Sequence, residues 1–256
     1  MPVLNQLDYT MECVDSIRRN TPRGLYEFIA VDNGSTDGSG KYLRSKKIKV
    51  ITNRKNIGVA GAWNQGVRAS RGKYCCIINN DIITTPGWLE NLVRYHEAMP
   101  DAGIVCPATR EGGAGYGLDK YAAQYVRGMK RVSAKGLYGW CMLIRKERFK
   151  QAGYFDRHFG IGIGEDTDFM MRLRKLGHES YITGSAFIHH YGSRTISGIR
   201  KEKGNAFELN NIAVLRERWG HGTEAYLQRK LASVVKAANN LYLKLTRGHT
   251  LLERAR

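Results

Sequence analysis

Apolar residues in the first hundred positions alternate between short runs and longer amphipathic stretches. The apolar runs predict strands at 25–31, 48–51 and 74–78. The amphipathic stretches predict helices at 8–20, 59–70 and 87–99, and a further helix that includes residues 42 and 43. The run 74–78 has no polar alternation, which is typical of a strand buried on both faces. This βαβαβα order predicts an α/β fold with a mostly parallel central sheet and helices on both faces.

The regular alternation breaks down after residue 106. Further strands are predicted at 104–106, 137–144, 180–182 and 186–188. Further helices are predicted at 165–176, 206–219 and 223–245. The glycine-rich segments 110–117 and 160–164 are predicted as mobile loops. We expect one domain over residues 1–200, with halves 1–106 and 107–200, followed by a helical extension over 201–256.

The chain is basic: 41 Lys and Arg residues against 23 Asp and Glu residues give a formal net charge of +18. A basic surface favours anionic partners such as nucleic acid, acidic lipid or phosphorylated substrates. The basic residues are spread along the chain without an RNA- or DNA-binding motif, which argues against nucleic acid. No apolar run is long enough to span a bilayer, and the five cysteines lack CxxC spacing. We expect a cytoplasmic protein, with any membrane contact peripheral.

Polar groups follow two of the predicted strands. Asn79, Asn80 and Asp81 come directly after the strand 74–78. In open α/β sheets this edge binds ligands, and a carboxylate such as Asp81 suits a hard divalent cation. The segment 32–39 follows another predicted strand and contains two glycines. A turn of this kind can cradle an anion. The segment matches neither the GxxxxGK[ST] motif nor the GxGxxG motif. Ordinary turns are the alternative at both places.

The acidic start of the helix 165–176 carries geometric information. The apolar sector of this helix comprises Phe169, Met170, Leu173 and Leu176. At 100° per residue Asp166 falls in the middle of that sector, Glu165 lies at its border and Asp168 points away. An inward carboxylate is costly unless it is paired or used. Capping by acids at the positive end of the helix is the alternative, and it accounts poorly for Asp166.

Two adjacent histidines, His189 and His190, follow the short strand 186–188. Either could ligate a metal ion, although a single such histidine is more often a hydrogen-bonded structural residue. The residues alone leave open which of the two is a ligand.

Taken in order, these segments resemble an inverting family 2 glycosyltransferase with a GT-A fold, of the rhamnosyl-, galactosyl- or N-acetylglucosaminyltransferase kind. The matching segments are 2–5, 31–39, 53–58 with 63–66, 77–81, 155–156, 165–169 with 172–173, and 190–195. The resemblance implies a nucleotide-diphospho-sugar transferase fold, in which 1–106 binds the nucleotide and 107–200 holds the acceptor and catalytic groups.

Carried over to these positions, the resemblance also implies site residues. Asp166 is the implied general base, and Asp81 and His190 are the implied ligands of Mg²⁺ or Mn²⁺. Contacts to the nucleotide sugar are implied for Asp32, Asn33, Asn56, Gly58, Asn64, Asn79, Asn80 and Glu165.

The implied activity is transfer of a sugar from a nucleotide-sugar donor to a hydroxyl of a glycan or lipid-linked acceptor, in polysaccharide biosynthesis at the cell envelope. One alternative is a nucleic-acid-binding protein. Another is a sugar-nucleotide-binding domain without turnover, whose signature would be loss of Asp81 or Asp166, and both are present.

The chain departs from the family pattern at two places. Asn79 stands where the family has the first Asp of its D-x-D motif, which leaves Asp81 as the one charged ligand there. Family members also carry an apolar strand before the position of Pro2, so we expect such a strand upstream.

The predicted helix 223–245 has an apolar face with basic neighbours, which suits packing on the domain or contact with an anionic membrane on its inner face.

Overall fold

The computed structural model describes residues 1–192, 198, 200, 204–220 and 236–254. Its helices are α1 (Leu7–Asn20), α2 (Ser39–Ser45), α3 (Val59–Ala69), α4 (Trp88–Ala98), α5 (Leu118–Met129), α6 (Glu147–Ala152), α7 (Glu165–Lys175) and α8 (Ala206–Trp219). A further helix, α9, covers residues 236–247. Its strands are β1 (Pro2–Val3), β2 (Ile29–Asp32), β3 (Lys49–Thr52), β4 (Tyr74–Ile78), β5 (Ile82–Thr84), β6 (Ala102–Glu111), β7 (Ser133–Lys135), β8 (Cys141–Arg145), β9 (Glu179–His190) and β10 (Leu252–Arg254).

The first sheet is parallel, with the strand order β1-β2-β3. All four residues of β2 are buried. Its core consists of Val3, Val14, Ala30, Leu43 and Ile48. This sheet follows the predicted strand–helix alternation, because each parallel pairing needs a crossover segment between its strands.

The second sheet is mixed and has the order β4-β8-β6-β9-β5, with β10 on β6 and β7 on β9. β6 and β9 are parallel, but β8 runs antiparallel to both of its neighbours, β4 and β6. The predicted α/β class is confirmed, while the sheets together are mixed rather than mostly parallel. The difference arises because the chain returns after residue 137 and inserts β8 between two earlier strands, which no local pattern encodes.

A cavity of about 690 Å³ lies between the two sheets and is bordered by β2 and β4. At one end of it, the Met1 ammonium donates to Ile29 O at 3.0 Å and Val31 N donates to Met1 O at 2.8 Å. These bonds continue the pairing of β1 with β2. The expected upstream strand stays a prediction, since no described residue tests it.

Most predicted helices and the strand 74–78 match the structure to within one or two residues. β6 is longer than predicted, so Arg110 and Glu111 belong to a strand and not to a mobile loop. β9 is one continuous strand where two short ones were predicted. The segment Thr183–Ser185 resembles a turn in sequence, but the shift in the pairing of β6 with β9 after Pro107 shows that it is a bulge. The elements that were not predicted include β1, β5, α5, β7, α6 and β10.

The C-terminal region is not purely helical, because β10 pairs in parallel with β6. α8 packs on the rest of the domain: the Asn211 amide donates to the backbone oxygens of Phe159 and Gly162, both at 2.7 Å. Residues 223–235 of the predicted helix 223–245 lie outside the described residues, as do residues 193–195 of the matching segments. The domain boundary at residue 200 stays a prediction. Within the described ranges, no helix is long and apolar enough to cross a membrane.

Candidate active site

A cavity of about 420 Å³ collects most of the predicted site residues. It lies where β1, β4 and β9 end, beside the N-terminus of α7 and the segment 161–164, and Leu215 of α8 also lines it. The predicted residues that line it are Asn33, Asn56, Asn79, Asn80, Asp81, Glu165, Asp166 and His190. Segments far apart in the chain therefore meet at one site.

Three of the predicted site residues do not line the cavity but make structural contacts near it. Asp32 is buried, and its Oδ1 accepts from Ser35 N at 2.9 Å. The Asn64 amide exchanges two hydrogen bonds with the backbone of Phe155, at 2.8 and 3.0 Å. Gly58 has φ +82°, and a Cβ there would lie 1.9 Å from Gly160 O. Their predicted contacts with a nucleotide sugar stay predictions.

A network of amide side chains orders the segment 53–58 beside the cavity. Asn33 Nδ2 donates to Asn56 Oδ1 at 2.8 Å, and Asn53 Nδ2 donates to Asn33 Oδ1 at 3.0 Å. Asn56 Oδ1 also accepts from Gly58 N at 2.9 Å. Because each amide holds the next, Asn33 and Asn56 present fixed donors and acceptors at the cavity wall.

Asp81, His190 and Glu111 form a carboxylate–imidazole–carboxylate row. Asp81 Oδ1 lies 3.3 Å from His190 Nε2, and Glu111 Oε1 lies 3.3 Å from His190 Nδ1. Burial alone would lower the pKa of His190, but hydrogen bonding to Asp81 and Glu111 outweighs it and raises that pKa to about 9. The hydrogen bond with His190 is the main cause that lowers the pKa of Glu111. Sequence reasoning missed Glu111 because the glycines after it suggested a loop.

The structure distinguishes between the two adjacent histidines. Successive side chains of a strand point to opposite faces, so only one of them can face Asp81. That one is His190, whose ring also stacks on Trp140 at 4.7 Å between centroids. His189 Nδ1 instead lies 3.1 Å from the Tyr116 hydroxyl, and burial lowers the pKa of His189 to about 4.

The acids at the start of α7 have different surroundings. Asp166 is half-buried and lines the cavity, where its Oδ1 accepts from Thr167 N at 2.6 Å. Burial raises the pKa of Asp166. Glu165 is buried beside it, and burial followed by the charge of Asp166 raises the pKa of Glu165 to about 8.

Asp168 is also buried, although its helical phase points it away from the apolar sector. It accepts from Arg172 Nε at 2.9 Å, from Arg218 at 3.3 Å and from Trp219 Nε1 at 3.0 Å. The expectation that Asp166 is the most inward acid is therefore wrong. α8 covers the opposite face of α7 and buries Asp168 in an ion-pair network, and Asp166 faces the cavity.

The pair Asp81 and His190 fits a divalent cation. Two adjacent ligands of an octahedral ion, each about 2.1 Å from it, lie about 3 Å apart, and the two side chains are separated by 3.3 Å. No group of three or more metal-binding His, Cys, Asp or Glu side chains occurs among the described residues. Mg²⁺ commonly binds through one or two protein groups together with substrate phosphates, so a pair of ligands suffices.

Gly139, Trp140 and Leu215 also line the cavity, and sequence reasoning did not assign them to the site. Gly139 and Trp140 fell inside the predicted strand 137–144, and Leu215 fell inside a predicted helix. Nothing in the sequence distinguishes them from ordinary core or surface positions.

Comparison with known proteins identifies the class. Residues 1–176 match the sequence profile of "Glycosyl transferase family 2", and the chain belongs to this family. It is 22% identical over 244 residues to "Uncharacterized protein y4gI" of Sinorhizobium fredii, covering 86% of this chain and 27% of that protein. It is 32% identical over 110 residues to "Glycosyltransferase GlyG" of Streptococcus pneumoniae, covering 41% of this chain and 36% of that protein. The chain thus spans about a third or less of the length of these two relatives.

Solved structures share the fold, and the GT-A glycosyltransferase fold is confirmed. GalNAc-T7 with UDP, GalNAc and Mn²⁺ is similar with a TM-score of 0.62 at 18% identity, over 74% of this chain and 42% of that one. The mannosyltransferase PcManGT of Pyrobaculum calidifontis, in complex with GDP-Man and Mn²⁺, is similar with a TM-score of 0.58 at 15% identity, over 92% of this chain and 79% of that one.

Proposed function

We propose that this chain is an inverting glycosyltransferase that moves a sugar from a nucleotide-sugar donor to a hydroxyl of a glycan or lipid-linked acceptor. The observation that carries the proposal is that Asp166 and the Asp81–His190 pair line the same cavity. A base and a diphosphate-binding site must share one pocket for a displacement at the sugar carbon. The GDP-Man and Mn²⁺ bound by one structural neighbour, and the UDP, GalNAc and Mn²⁺ bound by the other, support the same donor class.

In this proposal Asp81 and His190 would hold Mg²⁺ or Mn²⁺, which would neutralise the charge of the departing nucleoside diphosphate. Asn33 and Asn56 offer polar contacts to the nucleotide, and Asn79 and Asn80 line the same cavity. Because metal ligation needs the neutral imidazole, His190 would hold the ion only in its neutral form.

Asp166 takes the proton of the acceptor hydroxyl in this mechanism. The hydroxyl oxygen forms a bond to the anomeric carbon as the bond from that carbon to the diphosphate oxygen breaks, and the electron pair leaves with the diphosphate. Attack from the opposite face inverts the configuration. Burial and the charge of Asp166 raise the pKa of Glu165 to about 8, so in this proposal Glu165 keeps its proton at neutral pH beside the base.

A peripheral contact with anionic membrane would bring the enzyme to a lipid-linked acceptor at the cell envelope. The observation that favours it is on α9, where Leu241, Tyr242 and Leu245 are 61%, 62% and 77% exposed. Lys244 and Arg247 lie on the same helix. Exposed apolar side chains with basic neighbours suit the surface of an anionic bilayer.

The test is a screen of nucleotide sugars for metal-dependent turnover by the full chain. We expect one donor to be turned over with Mg²⁺ or Mn²⁺, and Asp81→Ala to lose both turnover and metal-linked donor binding. Full turnover in excess EDTA would exclude metal assistance. Binding of a nucleotide sugar without any turnover would favour the binding-domain alternative.

A further inference from the structure

Glu111 occupies a special place in the second sheet, between the strand that carries His190 and the C-terminal strand. It is paired with His190 of β9 on one side and with Arg254 of β10 on the other. Paired residues on adjacent strands project their side chains to the same face of a sheet. One carboxylate can therefore reach both neighbours.

The two oxygens of Glu111 are divided between these neighbours. Oε1 lies 3.3 Å from His190 Nδ1, and Oε2 lies 3.7 Å from Arg254 Nε. Nε2 in turn lies 3.3 Å from Asp81 Oδ1, so a proton kept on Nδ1 next to Glu111 would leave Nε2 as the nitrogen that binds a cation beside Asp81. The Trp140 ring, inclined by 18° to the imidazole, fixes the plane of the ring.

We propose that Glu111 is a positioning residue that holds His190 in the tautomer and orientation needed to bind the divalent cation. The inference rests on the proposed function, because it takes Asp81 and His190 as the metal ligands. Carboxylates that accept from the second nitrogen of a metal-binding histidine fix its ring and raise its basicity. Glu111 does not line the cavity and so acts through His190.

Arg254 adds a smaller contribution to the same arrangement. Its side chain is 80% exposed, so its ion pair with Glu111 is screened by water. β10 is anchored independently of Arg254, since Thr109 N donates to Leu251 O at 3.0 Å and the Tyr125 hydroxyl donates to Thr250 O at 2.7 Å. Loss of the Arg254 side chain should therefore leave β10 in place.

The experiment measures binding of Mn²⁺ alone to the full chain by electron paramagnetic resonance of the free ion. We expect Glu111→Ala to weaken Mn²⁺ binding by about 10- to 100-fold, the usual effect of removing such a partner. Glu111→Gln should lose less, about threefold to tenfold, because its amide oxygen can still accept from Nδ1–H. Arg254→Gln should change the affinity by less than about threefold. Glu179→Gln, at the opposite end of β9, is the matched control and should bind as the wild type does.

A second readout separates positioning from a general structural role. With the donor found by the screen, Glu111→Gln should need more Mn²⁺ for half-maximal rate but reach a rate near that of the wild type at saturating Mn²⁺. A variant with a damaged fold would lose the maximal rate instead. Wild-type Mn²⁺ affinity in Glu111→Gln and Glu111→Ala overturns the positioning role. Wild-type Mn²⁺ affinity in Asp81→Ala overturns the proposed metal site itself, so the two failures are distinguishable.

Discussion

Gly139 lies directly against the carboxylate of Asp166: a Cβ on residue 139 would stand 2.3 Å from Asp166 Oδ2. The absence of a side chain at Gly139 therefore leaves room for the carboxylate in its present position. Trp140, which follows it, stacks on His190. The segment 139–140 thus contacts both the base and the metal-binding histidine of the proposed mechanism.

Gly139→Ala should displace the Asp166 carboxylate and lower sugar transfer by about 10-fold or more, because a shift of about 1 Å in a reacting group costs this much or more. The fold should survive, since the neighbouring atom is the end of a movable side chain. Gly113→Ala, where a Cβ meets nothing within 4 Å, is the matched control. Transfer rates of the two variants and their thermal unfolding provide the measurement. Equal rates in both would show that Gly139 does not set the position of Asp166.

Asp166→Asn should keep donor binding and lower transfer by about 10²-fold or more, in line with general-base contributions. Asp168→Asn should instead lower the free energy of unfolding by about 1–3 kcal/mol, because it weakens charged hydrogen bonds to Arg172 and Arg218. Donor calorimetry, steady-state rates and denaturant unfolding distinguish the two effects. If Asp166→Asn transfers sugar at the wild-type rate while Asp168→Asn is stable but inactive, Asp168 and not Asp166 is the general base.

Glu165 should make stability depend on pH. Its pKa is raised in the folded state from 4.5 to about 8, so the folded state holds a proton that the unfolded state releases. The stability that this proton contributes is complete below pH 4.5 and is lost as pH rises through 8. The raised pKa of Asp166 acts in the same direction.

Glu165→Gln should remove much of this dependence, so that the free energy of unfolding falls less than in the wild type between pH 5 and pH 8.5. Urea unfolding at four or five pH values measures it. Glu217→Gln, on the exposed face of α8, is the control and should follow the wild-type curve. A parallel loss in wild type and Glu165→Gln would mean that Glu165 is ionised in the folded protein.

The exposed side chains of α9 should bind anionic membrane. Each buried leucine contributes about 1.5–3 kcal/mol, so Leu241→Ser with Leu245→Ser should weaken binding to vesicles containing phosphatidylglycerol by more than about 10-fold. Leu209→Ser, at a 60% exposed position on α8, is the matched control. Vesicle sedimentation at two salt concentrations measures the effect, and salt should weaken it. Equal sedimentation of the double variant and the control would contradict membrane contact through α9.

The sequence by itself determined most of the helices, the strand Tyr74–Ile78 and the polar residues that follow this strand. The strand Tyr74–Ile78 and the helices α1, α3, α4, α7 and α8 follow from apolar periodicity, which depends on neighbouring residues alone. Asn79, Asn80 and Asp81 were placed at the site because polar residues that end a buried strand must emerge at its edge. Both patterns depend on neighbouring residues alone, and the folded structure retains them.

Only the tertiary structure decided how those elements pair. β8 enters antiparallel between β4 and β6, which brings Trp140 and Gly139 to the cavity. β6 and β9 remain paired up to their last residues, and this pairing places Glu111 beside His190. Strand order and register depend on contacts between residues far apart in the chain, and burial of Asp168 depends on where α8 packs. A local sequence pattern contains no information on such distant contacts. The places of Glu111 and Gly139 and the distinct roles of the three acids of α7 are therefore visible only in the folded chain.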